Sequence, residues 1–114
     1  MKKPAKMRVP QNVGELRDLL SLILLSAPKC LDNTGYFPYQ NLDYVFQQLL
    51  AGLDHNRATL GEERYHQLVE MSGRIRALFE ADPDDKTGET LQGCKIINEM
   101  ADILDEVRRK SARR

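Results

Sequence analysis

The sequence predicts an all-α protein, a four-helix antiparallel bundle with helices near residues 12–27, 41–53, 60–81 and 89–110. Apolar residues recur at spacings of three and four along four segments, turn-forming stretches separate those segments, and no alternating strand pattern competes. Four amphipathic helices on short connections bury their faces most simply by running up and down against one another. A chain of 114 residues closes around one core. The expected organisation is therefore one helical domain over residues 12–110, a flexible basic tail at 1–11 and a second basic tail at 111–114.

The first helix opens at Asn12, a capping residue, with Glu15 three positions on in a capping-box pattern, and Pro28 stops it. Val13, Leu16, Leu20 and Ile23 form one stripe, which Leu19, Leu22 and Leu25 widen until little polar surface remains. A face that wide belongs at the centre of a bundle or against a partner. Residues 28–40 read as a loop, with a turn signal at Asp32-Asn33-Thr34-Gly35 followed by Tyr36-Phe37-Pro38-Tyr39. In the second helix Leu42, Val45, Phe46, Leu49, Leu50 and Leu53 define a single apolar face.

After a polar link at residues 55–58, Thr59 and Glu62 repeat the capping-box pattern and open a third helix, stopped by Asp82-Pro83. Its expected seam is Tyr65, Leu68, Ser72, Ile75 and Phe79. An acidic linker, residues 82–88, leads to the last helix. There Ile96, Met100, Ile103 and Val107 form one stripe and Cys94, Ile97, Ala101 and Leu104 a second, together covering about half the circumference. The surplus width of the first and last helices suits either a central position or pairing of two copies through them, which makes a homodimer an expectation to test.

Composition narrows the function classes. The longest apolar run, residues 22–25, is far short of the roughly 20 residues a bilayer span needs. The basic start lacks a following apolar stretch, because Glu15, Arg17 and Asp18 interrupt it, so no export is expected. Two cysteines, Cys30 and Cys94, make neither a disulfide framework nor metal-ligand spacing, which fits a reducing cytoplasm. The formal net charge of zero conceals a division. Lys2, Lys3, Lys6 and Arg8 precede, and Arg108, Arg109, Lys110, Arg113 and Arg114 follow, a body in which eight basic residues accompany all 17 acidic ones.

Signals for chemistry are sparse. Glu63 and His66 share a helix face at Glu-x-x-His spacing, but the di-iron pattern needs two such pairs and further glutamates, and no second pair exists. His55 sits near a helix end, where a histidine interacts with free carbonyls. The series Asp82, Asp84, Asp85, Glu89 resembles a calcium loop, yet Lys86 and Thr87 occupy the positions of an expected ligand and the turn glycine. No histidine lies near either cysteine in sequence, and no nucleophile-elbow, phosphate-loop or dinucleotide motif appears. The expectation is a non-enzymatic protein with no cofactor and no metal, a small bundle enzyme being the minor alternative.

The acidic stretch says more. Glu80, Asp82, Asp84, Asp85, Glu89, Glu99, Asp102, Asp105 and Glu106 gather within 27 residues beside only Lys86 and Lys95, and the last four project opposite the apolar arc of their helix. Such a ridge can be a solvated face. It can equally speed and select association with a basic partner, with Tyr36, Phe37 and Tyr39 as aromatic anchors. In size, helix content and acidity the chain resembles small helical immunity proteins. That resemblance implies an inhibitor or antitoxin of bacterial type that neutralises a basic partner such as a nuclease toxin, and it assigns no residue a role. The competing expectation is a nucleic-acid accessory protein whose basic ends, Lys2, Lys3, Lys6, Arg108, Arg109, Lys110, Arg113 and Arg114, neutralise phosphates. No aromatic platform or helix-turn-helix accompanies them.

Overall fold

Helix ends are where this sequence commits itself most locally. Asn12 is extended (φ −148°, ψ 173°) and its side chain accepts the Glu15 N–H at 2.8 Å, while the Glu15 carboxylate accepts the Gln11 N–H at 3.1 Å. The expected box thus forms, closing one residue earlier than usual, and starts α1, Val13–Ser26. Asn41 repeats the device, accepting the Tyr44 N–H at 2.9 Å, and starts α2, Leu42–His55. The computed structural model describes residues 7–32, 35 and 40–112, which are all-helical in their regular structure: α3 is Arg57–Leu60, α4 Glu62–Ala81 and α5 Glu89–Ala112. Five helices therefore stand where four were expected.

The extra helix corrects the third N-terminus. Thr59 does not cap; it lies inside α3, whose turn closes through Leu60 N–H to Asn56 O at 3.0 Å and Gly61 N–H to Arg57 O at 2.9 Å. Gly61, at φ 85°, then redirects the chain, and α4 begins without a side-chain cap. Glu62 is engaged elsewhere. Its carboxylate takes two hydrogen bonds from the Arg57 guanidinium, at 2.8 and 2.7 Å, and that guanidinium lies 4.3 Å from the Tyr65 ring centre. The pair spans the break, while Leu60 is buried in the core beneath it.

Each long helix packs on two others, α1 on α2 and α5, and α4 on α2 and α5. The central stripe of every helix is buried as its spacing predicts: Val13, Leu16, Leu20 and Ile23 from α1, Val45, Phe46, Leu49 and Leu53 from α2, and Leu68, Ser72, Ile75 and Phe79 from α4. A fully buried leucine, isoleucine or phenylalanine contributes about 1.5–3 kcal/mol relative to an exposed one. Ser72 is tolerated in the α4 seam because its hydroxyl donates to Leu68 O at 2.8 Å. The broad face of α5 is absorbed by its two neighbours, with Ile96, Ile97, Met100, Ala101, Leu104 and Val107 all buried. The exceptions lie at the flanks: Leu19, Leu42, Tyr65, Cys94 and Ile103 are half-buried, and Leu50, Leu22 and Leu25 are exposed.

Part of the expected tail belongs to the body. Gln48 Nε2 donates to Arg8 O at 3.0 Å, Asn56 Nδ2 donates to Pro10 O at 3.2 Å, and Pro10 is buried. Gly52 makes room for this strap, since a Cβ there would lie 2.8 Å from Leu16 Cδ2 and 2.9 Å from Pro10 Cγ. At the other end α5 continues two residues past the expected boundary.

α4 and α5 approach closely at Gly93 of α5, where a Cβ would stand 2.5 Å from Phe79 Cε1. Phe79 in turn meets Phe46 edge to face at 6.4 Å. Gly93→Ala is expected to destabilise the fold by about 1–3 kcal/mol through overpacking. Gly73→Ala on the exposed side of α4, where nothing lies within 4 Å, is expected to stabilise it by about 0.5–1 kcal/mol. Thermal unfolding followed by circular dichroism checks both, and equal effects of the two substitutions would sink the close-approach account.

Candidate partner-binding surface

The acidic series that looked uniform in sequence divides into two groups. Asp82 is only 2% exposed. One of its carboxylate oxygens accepts the N–H groups of Lys86 and Thr87 at 2.7 and 3.1 Å, the other accepts the Thr90 N–H at 3.0 Å, and the Thr90 hydroxyl donates to Asp82 O at 3.1 Å. Burial opposes the charged form, but these bonds from Thr90, Lys86 and Thr87 outweigh it and hold the carboxyl well below the usual carboxylate range. Asp82 is thus removed from the expected partner-binding set: it fastens the end of α4 to the first turn of α5. Glu89, half-buried, is bonded by the Thr87 hydroxyl.

At the far end of α5 two more acids are engaged within the fold. Asp105 lies 3.4 Å from Arg17 Nε of α1, and Glu106 lies 3.2 Å from Lys110 Nζ and 3.7 Å from an Arg64 nitrogen of α4. The hydrogen bond from Lys110, with the charges of Lys110, Arg64 and Arg109, holds the Glu106 carboxyl below its ordinary range. Glu99 and Asp102 behave differently. Both are exposed on the outer face of α5 and make no ion pair among the described residues.

Asp84 and Asp85 are exposed at the α4–α5 turn, with Lys29 Nζ 3.9 Å from Asp84. They border an open groove between that turn and the turn after α1, lined also by Ala27, Pro28, Leu31 and Pro83. Leu31 and Leu91 are 50% and 60% exposed. Sequence reading did not single out these two leucines. Leu91 falls on the polar side of α5 by spacing, a signal that was available, whereas Leu31 lies in a loop without periodicity. The aromatic candidates Tyr36, Phe37 and Tyr39 lie outside the described residues, as do Lys2, Lys3, Lys6, Arg113 and Arg114. Arg108 and Arg109 are exposed in the last turns of α5.

No group of three or more His, Cys, Asp or Glu side chains is disposed to hold a metal ion among the described residues. His66 stands 3.4 Å from Glu62 and contacts the Tyr65 ring. Cys30 is fully buried, its N–H bonded to Ser26 O at 2.8 Å and its carbonyl accepting from Gln40 Nε2 at 3.0 Å, which ties together the two ends of the connecting loop. Burial pushes its thiol up to about 11, and burial likewise raises the thiol of half-buried Cys94, with a contribution from Asp85. Thiols held this way carry little thiolate at neutral pH and are weak nucleophiles. Among the described residues no helix is long and apolar enough to cross a membrane. Compared with known protein families, curated proteins and solved structures, the chain matches none.

The depressed Asp82 acidity sets a pH dependence. A carboxylate stabilised in the fold contributes fully above its unfolded value, about 3.9, and the contribution is lost as pH falls towards the lower folded value. Asp82→Asn should therefore lower Tm at pH 7, with the gap to the wild-type protein narrowing below about pH 4; a gap that stays constant down to pH 3 would contradict this. For the thiols, a disulfide reagent at pH 7.5 should modify Cys94 slowly and Cys30 only after unfolding. Prompt labelling of both in the native protein would refute the burial of Cys30.

Proposed function

We propose that the protein is a non-enzymatic binding module of inhibitor or immunity type that holds a basic protein partner against the outer face of α5 and the α4–α5 turn. The observation that carries this reading is the state of Glu99 and Asp102, exposed and without an ion pair among the described residues while Asp105 and Glu106 are consumed by the fold. Unpaired carboxylates on a rigid helix supply a directed field without first breaking internal bonds. Asp84 and Asp85 border a groove lined also by exposed Leu31, and Leu91 is exposed in the first turn of α5. Apolar contact with an acidic rim suits a partner segment that combines lysine or arginine with an aliphatic or aromatic side chain. A nuclease toxin, whose phosphate site is basic, is the most concrete such partner.

In this reading the four long helices form an antiparallel bundle that serves as a rigid platform. The contact of Arg64 with Glu106 near one end of the α4–α5 pair and of Phe79 with Gly93 near the other supports opposite directions for those two helices. The two free cysteines support a reducing, cytoplasmic setting. A second reading, nucleic-acid association through the basic ends, draws support from exposed Arg108 and Arg109.

The deciding experiment compares the wild-type protein with Glu99→Lys/Asp102→Lys in capture from nuclease-treated native lysate at low and moderate salt. A basic protein retained in stoichiometric amount by the wild type should associate about tenfold or more slowly with the variant and lose its salt dependence, while folding stability changes by no more than about 0.5 kcal/mol. Retention unaffected by both substitutions removes the acidic face from the argument. Salt-sensitive nucleic-acid binding that disappears with residues 1–8 and 108–114 would transfer the function to the basic ends.

A further inference from the structure

The two thiols lie at the same end of the molecule. α1 packs on α5; Arg17 pairs with Asp105 at 3.4 Å, and Lys29, in the turn after α1, reaches Asp84, ahead of α5, at 3.9 Å. These contacts support opposite directions for the two helices. Nine residues beyond Arg17 is Ser26, the last of α1, and nine before Asp105 is Ile96, so equal helical rise sets the end of α1 level with the second turn of α5. Cys30 stays near that level because its N–H is bonded to Ser26 O at 2.8 Å. Cys94 is in that second turn, on the side of α5 that carries Ala101 and Asp105 towards α1. Both residues belong to one apolar cluster, Cys30 fully buried within it and Cys94 packed against it. Burial raises the Cys30 thiol and the charge of Cys94 raises it further, which puts the two sulfurs within electrostatic range of each other.

We propose that Cys30 and Cys94 form a redox-sensitive latch, which a small organic disulfide closes into one intramolecular bond between the turn after α1 and the second turn of α5. Residues 26–29 and 31 of that turn line the groove opposite Pro83, Asp84 and Asp85, so the bond fastens one wall of the groove to α5 from beneath. Half-buried Cys94 reacts first. Its Sγ gives up a proton to water and attacks one sulfur of the reagent, whose other sulfur leaves as a thiolate and is protonated. Cys30 Sγ then loses its proton and attacks Cys94 Sγ, releasing the second small thiol. The two protein thiols are oxidised and the reagent is reduced to two thiols. Both protein thiols are held protonated, so the latch closes slowly, and a reducing setting keeps it open. Bond formation is independent of the partner reading above, since it needs only the chain and the oxidant.

Prolonged incubation of the purified full chain, under native conditions, with excess cystamine tests the latch; this small cationic disulfide suits the acidic border of the groove. Mass spectrometry should show a single chain lighter by two hydrogen atoms, with no free thiol and a Cys30–Cys94 cross-linked peptide after proteolysis. A reducing agent should restore both thiols. Cys30→Ser should stop at a cysteamine adduct on Cys94. Cys94→Ser should keep Cys30 as a free thiol, because the reagent itself does not reach a buried sulfur. A wild-type chain that keeps both thiols overturns the proposal, as does one that accumulates a lasting cysteamine adduct on Cys94. So does a disulfide between two chains, or a Cys30–Cys94 bond that appears only in denaturant. Glu99→Lys/Asp102→Lys should still form the bond, which keeps this result distinct from that of the acidic-face experiment.

Discussion

The placement of α5 between α4 and α1 is the constraint on which the rest of the structure depends. Six of its side chains, from Ile96 to Val107, are buried, and a face that wide cannot be satisfied by one neighbour. On the α4 side the two helices approach closely enough that Phe79 fills the space above Gly93. On the α1 side, Leu16, Leu20 and Ile23 are fully buried in the same core. The outer face of α5 follows from this geometry: once the apolar arc points inward on both sides, Glu99 and Asp102 are directed to water and Asp105 and Glu106 are brought to the seams, within reach of Arg17 and Arg64.

Asp82 holds the beginning of that arrangement. A helix leaves its first N–H groups unsatisfied, and here a carboxylate from the end of the preceding helix, rather than a residue adjacent to α5, satisfies the Thr90 N–H while binding two N–H groups of the turn. The same side chain thereby sets where α4 stops, how tightly the turn closes and where α5 starts. Burying a carboxylate is costly unless it is hydrogen-bonded, and the number of donors around Asp82 accounts for its tolerance of burial. An acid that reads in the sequence as part of a surface cluster is a structural fastening.

Charge in this protein therefore has two employments that composition cannot separate. Some acids stabilise the fold locally, as Glu62 does by bridging the α3–α4 break with Arg57. Others, above all Glu99 and Asp102, have no such engagement among the described residues. Partly exposed ion pairs such as Arg17–Asp105 are individually worth about 0–1 kcal/mol, so their effect on the binding surface is greater than on stability: they remove two of the four ridge acids from competition for a partner. The basic end behaves similarly, with Lys110 turned back to Glu106 and Arg108 and Arg109 left outside.

Features that depend on neighbours three or four residues away were legible in the amino-acid sequence. Asn12 and Asn41 cap the helices that follow them, and the stripes through Leu16, Phe46, Ile75 and Met100 are buried, because both are properties of helical spacing and local donors. Sequence spacing misplaced the third N-terminus, since Thr59 and Glu62 have the spacing of a box but Arg57 competes for the glutamate and Gly61 breaks the helix. Helix packing selects which flank of a wide face is covered, leaving Leu25 outside and Ala101 inside, and which acids are spent, burying Asp82 while exposing Glu99. Those outcomes are set by side chains distant in sequence, and periodicity along one helix carries no information about what another helix brings to meet it.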